Sequence, residues 1–238
     1  GPLLSRLERN CAGTSDVRRV VVYSHGFPDS SVPEEALAWA HSGRDPGCER
    51  LFSSRTPRKW AEAILGGLKD TAFVCFNTRG IPGSSGTFAE KTLTGDLDDL
   101  HRVVREARRR FRSATELVVC GMSTGAFLSL AYAADPRSDS WVSGVMVLAC
   151  VSDIPTSFAL DFTREQVSDM ESKGWCTQDF WRSDGKKEEK RLDRAYLDSY
   201  KSFPDTKSLA TRLRVPVLLI HGTNDRHVPY DHGPQLCE

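Results

Sequence analysis

Five short apolar runs, each bounded by turn residues and separated by stretches of helical periodicity, constrain this chain more than any other feature. They are Arg18 to Ser24, Ala72 to Asn77, Glu116 to Cys120, Gly144 to Ala149 and Val215 to Ile220. Each is too short for a buried helix and too continuously apolar for a half-exposed strand, so each predicts a strand buried on both faces. Between them lie helical patterns. Thr56-Pro57 has the form of a cap followed by proline at the first helical position, and Trp60, Ile64, Leu65 and Leu68 continue as its apolar stripe. Leu93, Leu97, Leu100, Val104, Ala107 and Phe111 recur at spacings of four and three. A third helix runs from Thr124 to about Ala134 and ends at Asp135-Pro136. Strands alternating with helices in this way predict an α/β fold, a mostly parallel sheet with helices on both faces.

The alternation breaks twice. Asp29 to Arg55 is long for a connection and reads as a surface insertion, with a short helix starting at Pro33-Glu34-Glu35-Ala36-Leu37. The second break separates a core, residues 1–152 and 206–238, from an inserted helical cap, residues 153–205. Thr163-Arg164-Glu165-Gln166 has the form of a capping box there, and Leu192, Tyr196, Tyr200 and Phe203 mark a further helix. Lys186 to Arg191 is expected to be an exposed loop and helix start. Gly1-Pro2 resembles a protease-cleavage remnant, and Glu238 follows closely on a strand and loop, so a further strand and helix are expected beyond it.

Lysine plus arginine, 32 residues, balances aspartate plus glutamate, also 32, which gives no electrostatic case for nucleic acid or an anionic membrane. Arg102, Arg105, Arg108, Arg109, Arg110 and Arg112 read as the solvated face of one helix. The seven cysteines form no CxxC pair, and with the histidines they make no convincing metal set. Free thiols packed as small hydrophobes fit a reducing cytoplasm. No run approaches the length of a membrane span, and no signal peptide is visible.

The chemistry concentrates in three segments. Gly121-Met122-Ser123-Thr124-Gly125 fits G-x-S-x-G between an apolar strand and a helix. A serine on such a turn has its hydroxyl raised above the sheet edge. The flanking glycines are required because strand and helix crowd there. The helix N-terminus that follows directs amide donors at developing negative charge. Ser24-His25-Gly26-Phe27 ends the first strand; in an architecture built around such a serine elbow the loop there is expected to donate one backbone N–H to an oxyanion, which makes Phe27 and Thr124 the expected donors. His25 is a candidate pocket residue, although its side chain is more simply read as one that shapes the turn. His221-Gly222-Thr223-Asn224-Asp225-Arg226-His227-Val228-Pro229 follows the last strand, where Asp225 is the candidate acid under the order Ser, acid, His. Gly80 to Thr87 has the glycine content of a phosphate loop without its lysine.

These segments resemble the α/β-hydrolase superfamily, and within it the serine aminopeptidase-like and cinnamoyl or feruloyl esterase-like branch. Asn77-Thr78-Arg79-Gly80 with Gly83-Ser84-Ser85-Gly86 is similar to that branch's D-x-R-G-x-G-x-S-x-G turn. The resemblance implies a cytoplasmic serine hydrolase acting on a small acyl ester, or a thioester or amide, with no cofactor and no metal. Ser123 is then the nucleophile, Asp225 the acid, and Phe27 and Thr124 the oxyanion donors. The cap, with Phe158, Phe162, Trp175, Phe180 and Trp181, is expected to cover the acyl pocket, with the alternative that some of these aromatics simply anchor the cap. The branch's histidine follows one further strand, so it is expected beyond Glu238. His227 and His232 sit close to Asp225 and would have to fold back to reach Ser123. The competing expectation is an inactive or truncated α/β-hydrolase-fold binding protein.

Overall fold

The computed structural model describes residues 16–30, 32, 37–41, 55–138, 140–181 and 186–237. All five apolar runs are strands: β1 (Arg19–Ser24), β3 (Thr71–Phe76), β4 (Glu116–Met122), β5 (Val142–Leu148) and β8 (Val217–Ile220). They lie in one sheet of order β2-β3-β1-β4-β5-β8, parallel throughout except for β2 (Leu37–His41). The three expected helices are α1 (Arg55–Gly67), α2 (Leu93–Arg110) and α3 (Thr124–Ala134).

Strand alternation divides the core in two. Val20 and Val22 of β1, with Val74, Leu117 and Val119, face α2 and α3. Val21 and Tyr23, with Phe73 and Cys75, face Trp60, Ile64 and Leu65 of α1. The α2 stripe is buried as its spacing requires. Thr92 caps that helix by accepting from the Gly95 N–H at 2.9 Å, and Arg108, Arg109 and Arg110 complement its C-terminal dipole. Most of the arginine face is solvated. Two members also stack on indoles, Arg110 over Trp39 at 3.7 Å and Arg108 over Trp141 at 4.6 Å.

Three expectations need correction. The insertion after Asp29 contributes a strand: Leu37 begins β2, an antiparallel edge beside β3, whereas Pro33 to Ala36 lie outside the described residues. Lys187–Asp193 forms a strand (β7) paired antiparallel with β6 (Trp175–Trp181). The insertion is therefore helical only in part, with α4 (Ile154–Asp161), α5 (Arg164–Lys173) and α6 (Ala195–Ser202) around that hairpin. A strand this charged holds through its neighbours: Lys187 pairs with Asp179 at 2.9 Å, and Lys190 lies 4.7 Å from the Phe180 ring centroid. Third, His101, expected to be exposed on a surface helix, is instead buried on α2 against Tyr132 and bonded to Asp135 at 3.1 Å. The capping box is as expected, with Thr163 and Gln166 bonded reciprocally.

Among the described residues the β8 edge is open and apolar. Val217, Leu218 and Ile220 are 41%, 55% and 41% exposed, and α7 (Thr206–Ala210) and α8 (His232–Gln235) leave them uncovered. No described helix is long and apolar enough to cross a membrane.

Candidate active site

Ser123 sits where β4 turns into α3, with φ 53° and ψ −123°. A non-glycine residue adopts this conformation only when its surroundings impose it. They do so from both sides. The Ser123 N–H donates to Leu148 O at the end of β5, 3.0 Å away, while Ser123 O accepts from the Ala126 and Phe127 N–H groups of α3. A Cβ on Gly121 would collide with the carbonyl of Gly125, and one on Gly125 with the carbonyls of Ser24 and His25. Gly125→Ala is accordingly expected to destabilise the fold by about 3 kcal/mol or more, read as a lower denaturant midpoint at unchanged m.

The serine opens into a cavity of about 280 Å³ that also receives Phe27, Thr124, Asp225 and His227. Neither the Phe27 nor the Thr124 backbone N–H has a hydrogen-bond partner among the described residues, and both residues line the cavity. Ser123 Oγ likewise has no hydrogen-bond partner among the described residues. Asp225 Oδ1 accepts the His227 and Val228 N–H groups at 2.8 and 3.0 Å, closing the loop after β8 and leaving Oδ2 without a described partner. The three sequence segments therefore meet at one cavity.

The other pocket candidates do not. His25 is buried behind the loop and beside a far smaller void, its ring bonded to Gly26 O at 2.8 Å. Burial lowers its pKa to about 4. Phe158 packs beneath Lys201, Trp175 beneath Arg191, and Trp181 is 63% exposed. Phe162, also expected at the pocket, and Tyr196 touch Phe27, which lines the cavity, whereas Phe180 packs on Phe88. Phe27 stacks on Tyr196 at 4.6 Å and on Phe88 at 6.0 Å, and contacts Phe162, anchoring the insertion to the loop after β1. Nor does His232 reach the cavity: its Nδ1 is 2.9 Å from the Ser152 hydroxyl. His227 lines the cavity, but Asp225 holds it through backbone, not through its ring.

Two carboxylates had no sequence signal. Asp161, at the end of α4, accepts from the Tyr200 hydroxyl at 2.6 Å, and burial pushes its pKa up to about 6. Asp29 faces the same cavity, and burial raises its pKa too. No described cluster of His, Cys, Asp or Glu has the arrangement of a metal site.

The turn after β3 departs from the pattern it resembles in having Asn77 where that pattern has aspartate. Its amide donates to Val32 O at 2.7 Å and Pro82 O at 3.0 Å, bonds a carboxylate could not make. Arg79 and Asp99 form a bidentate pair at 2.7 and 3.0 Å that fixes this turn on α2.

Similarity to known proteins agrees with this arrangement. Est1E from Butyrivibrio proteoclasticus, solved with ferulic acid bound, superposes with TM-score 0.65 at 19% identity, covering 95% of this chain and 77% of that one. A putative hydrolase from Agrobacterium vitis S4 gives 0.63 at 16% identity, covering 95% and 76%. The acylaminoacyl peptidase of Pyrococcus horikoshii gives 0.58 at 17% identity, covering 93% of this chain and 30% of the peptidase. At these identities the likeness is one of fold, that of the α/β-hydrolases. No curated protein matches the chain by sequence. The profile of the prolyl oligopeptidase family matches residues 59–238, which include the elbow and the acid loop, and the chain belongs to that family of α/β-hydrolases.

Proposed function

We propose that the protein is a serine hydrolase that cleaves carboxylic esters through an acyl-enzyme on Ser123. The observation that carries this reading is the elbow: Ser123, at φ 53°, opens into a cavity beside two unengaged backbone N–H groups. Ser123 Oγ attacks the carbonyl carbon and its proton passes to a histidine. Phe27 and Thr124 N–H hold the resulting oxyanion. The C–O bond to the leaving group breaks as the histidine returns the proton to the departing oxygen. Water, deprotonated by the same base, then releases the acyl group as its acid. Asp225 Oδ2 orients the imidazole.

The base, on this reading, lies outside the described residues. His25, His101, His221 and His232 are each bonded elsewhere, and no ring among the described residues bonds Ser123. The uncovered apolar faces of β8 support a further paired strand that presents it, because such an edge is normally paired or covered. Residues 153–205 act as a cap on the acyl pocket, anchored by Phe162, Tyr196 and Tyr200.

The test is covalent labelling of the full-length protein with a fluorophosphonate, together with hydrolysis of a neutral aryl ester. An inactive binding protein would show neither. The family match favours amides as a second substrate class for the same acyl-enzyme chemistry, so a matched ester and anilide, assayed together, separate esterase from peptidase.

The cavity lining narrows the acyl group. Asp29, Asp161 and Asp225 face it, and no lysine or arginine does among the described residues. An acyl chain ending in a carboxylate is expected to lower kcat/KM at least about tenfold relative to its neutral isostere. The penalty should shrink as the pH falls through about 6, where Asp161 takes up a proton and loses its charge. A pH series on the two esters checks both.

A further inference from the structure

Lys91 is a lysine in an unusual place. Its side chain is 1% exposed, and all three ammonium protons are engaged, by Thr78 Oγ1 at 2.6 Å, Asp96 Oδ1 at 2.8 Å and Arg79 O at 3.1 Å. Burying an ion pair is costly, and an apolar side chain of the same volume commonly serves stability as well or better. The pair therefore calls for a reason besides stability, and its neighbours supply one.

Thr78 Oγ1 accepts from Lys91, so its own hydrogen turns to the other side, where His25 Nε2 lies 3.3 Å away. The Thr78 backbone N–H points at the same nitrogen, also at 3.3 Å. With two donors aimed at it, Nε2 is the bare nitrogen and the ring proton sits on Nδ1. Nδ1–H donates to Gly26 O at 2.8 Å, and the Asp29 N–H reaches that carbonyl from the opposite side of the turn at 3.0 Å. Gly26 C=O and Phe27 N–H belong to one planar peptide unit, in which they point in opposite directions. The Gly26 backbone lies against Ser123, where an added Cβ would sit 3.3 Å from that serine's own Cβ. Pinning the carbonyl thus turns the Phe27 N–H the other way, towards the cavity side.

We infer that Lys91, acting through Thr78 and His25, is a positioning residue that fixes the direction of the Phe27 oxyanion donor. This rests on the serine hydrolase reading above. Lys91 and Asp96 supply the charges around the small void beside His25. Tyr196, the other titratable group there, stays neutral because burial raises its pKa well above the usual value, and Asp29 lies on the same loop as His25. Burial and then the Lys91 charge disfavour the imidazolium, against the pull of Gly26 O. Only one protonation state and one tautomer therefore satisfy every bond. In the other tautomer the Nδ1 lone pair would face the Gly26 carbonyl and release the peptide.

The experiment compares full-length wild type with Lys91→Met, Thr78→Val and Thr78→Ser. It measures kcat and KM on a neutral aryl ester and the ¹⁵N shifts of the His25 ring across pH. In the wild type the ring should hold its proton on Nδ1 alone. Lys91→Met should lower kcat about tenfold to a hundredfold with KM within about twofold, since an oxyanion donor acts in the transition state. Its His25 should titrate at higher pH and populate both tautomers. Thr78→Val keeps the ion pair and should reproduce the kcat loss, which covers the case of a Lys91→Met that does not fold; Thr78→Ser should restore wild-type rates. An unchanged His25 tautomer and titration in folded Lys91→Met or Thr78→Val overturns the inference, as does a loss confined to thermal stability. A wild type that neither labels nor hydrolyses the ester counts instead against the hydrolase reading, and the ring shifts still report on the relay.

Discussion

Ser123→Ala is expected to abolish fluorophosphonate labelling and to lower ester hydrolysis by about 10⁴-fold or more, leaving the residual rate that an oxyanion site and binding give without a nucleophile. The size follows from covalent catalysis. Without Oγ no acyl-enzyme forms, and the Phe27 and Thr124 amides have only water to assist. The substitution is also clean. Alanine removes one oxygen that has no described hydrogen-bond partner, and the turn is held by Leu148 O and by the glycines at 121 and 125. The midpoint of thermal unfolding should therefore move little. A labelled or active Ser123→Ala protein would put the nucleophile elsewhere.

Asp225→Asn is expected to lower kcat/KM by about 10³- to 10⁴-fold with the fold intact. An asparagine oxygen can still accept the His227 and Val228 N–H groups that Oδ1 accepts now, so the loop after β8 keeps its shape. The negative charge is lost. The other atom, which in the proposed mechanism accepts from the imidazole, becomes an amide nitrogen, which donates where an acceptor is needed, selects the wrong tautomer and fails to stabilise the imidazolium. Steady-state kinetics with a circular dichroism melt separates this from misfolding. A loss under tenfold would mean that Asp225 serves only to close its loop.

Much of the fold is legible because its signals are local. A run such as Val20-Val21-Val22-Tyr23 has nowhere to go but the interior of a sheet, and the α2 stripe has only one face to bury. The Ser123 elbow is legible for a steric reason, since no Cβ is tolerated at Gly121 or Gly125. The cap was harder. Lys187 to Asp193 has no apolar alternation, and its strand depends on Trp175, Asp179 and Phe180 across the hairpin. Its aromatics are ambiguous for a related reason: Phe158, Trp175 and Trp181 differ from Phe162, which touches the cavity-lining Phe27, in position and not in kind, and hydrophobicity cannot say which of several similar rings packs on a cavity-lining residue.

The sequence by itself determined the parallel strands, the helices between them, and the placement of Ser123, Phe27, Thr124 and Asp225 at strand ends. Those features follow from periodicity and from steric limits within a few residues. Only the tertiary structure decided that β2 is an antiparallel edge, that Asp29 and Asp161 face the cavity at Ser123, and that Lys91 lies buried behind the loop after β1 with Thr78 and His25. Each of these depends on contacts between segments far apart in the chain. A charged residue's sequence neighbours do not reveal whether it meets water or a distant partner in the packed interior.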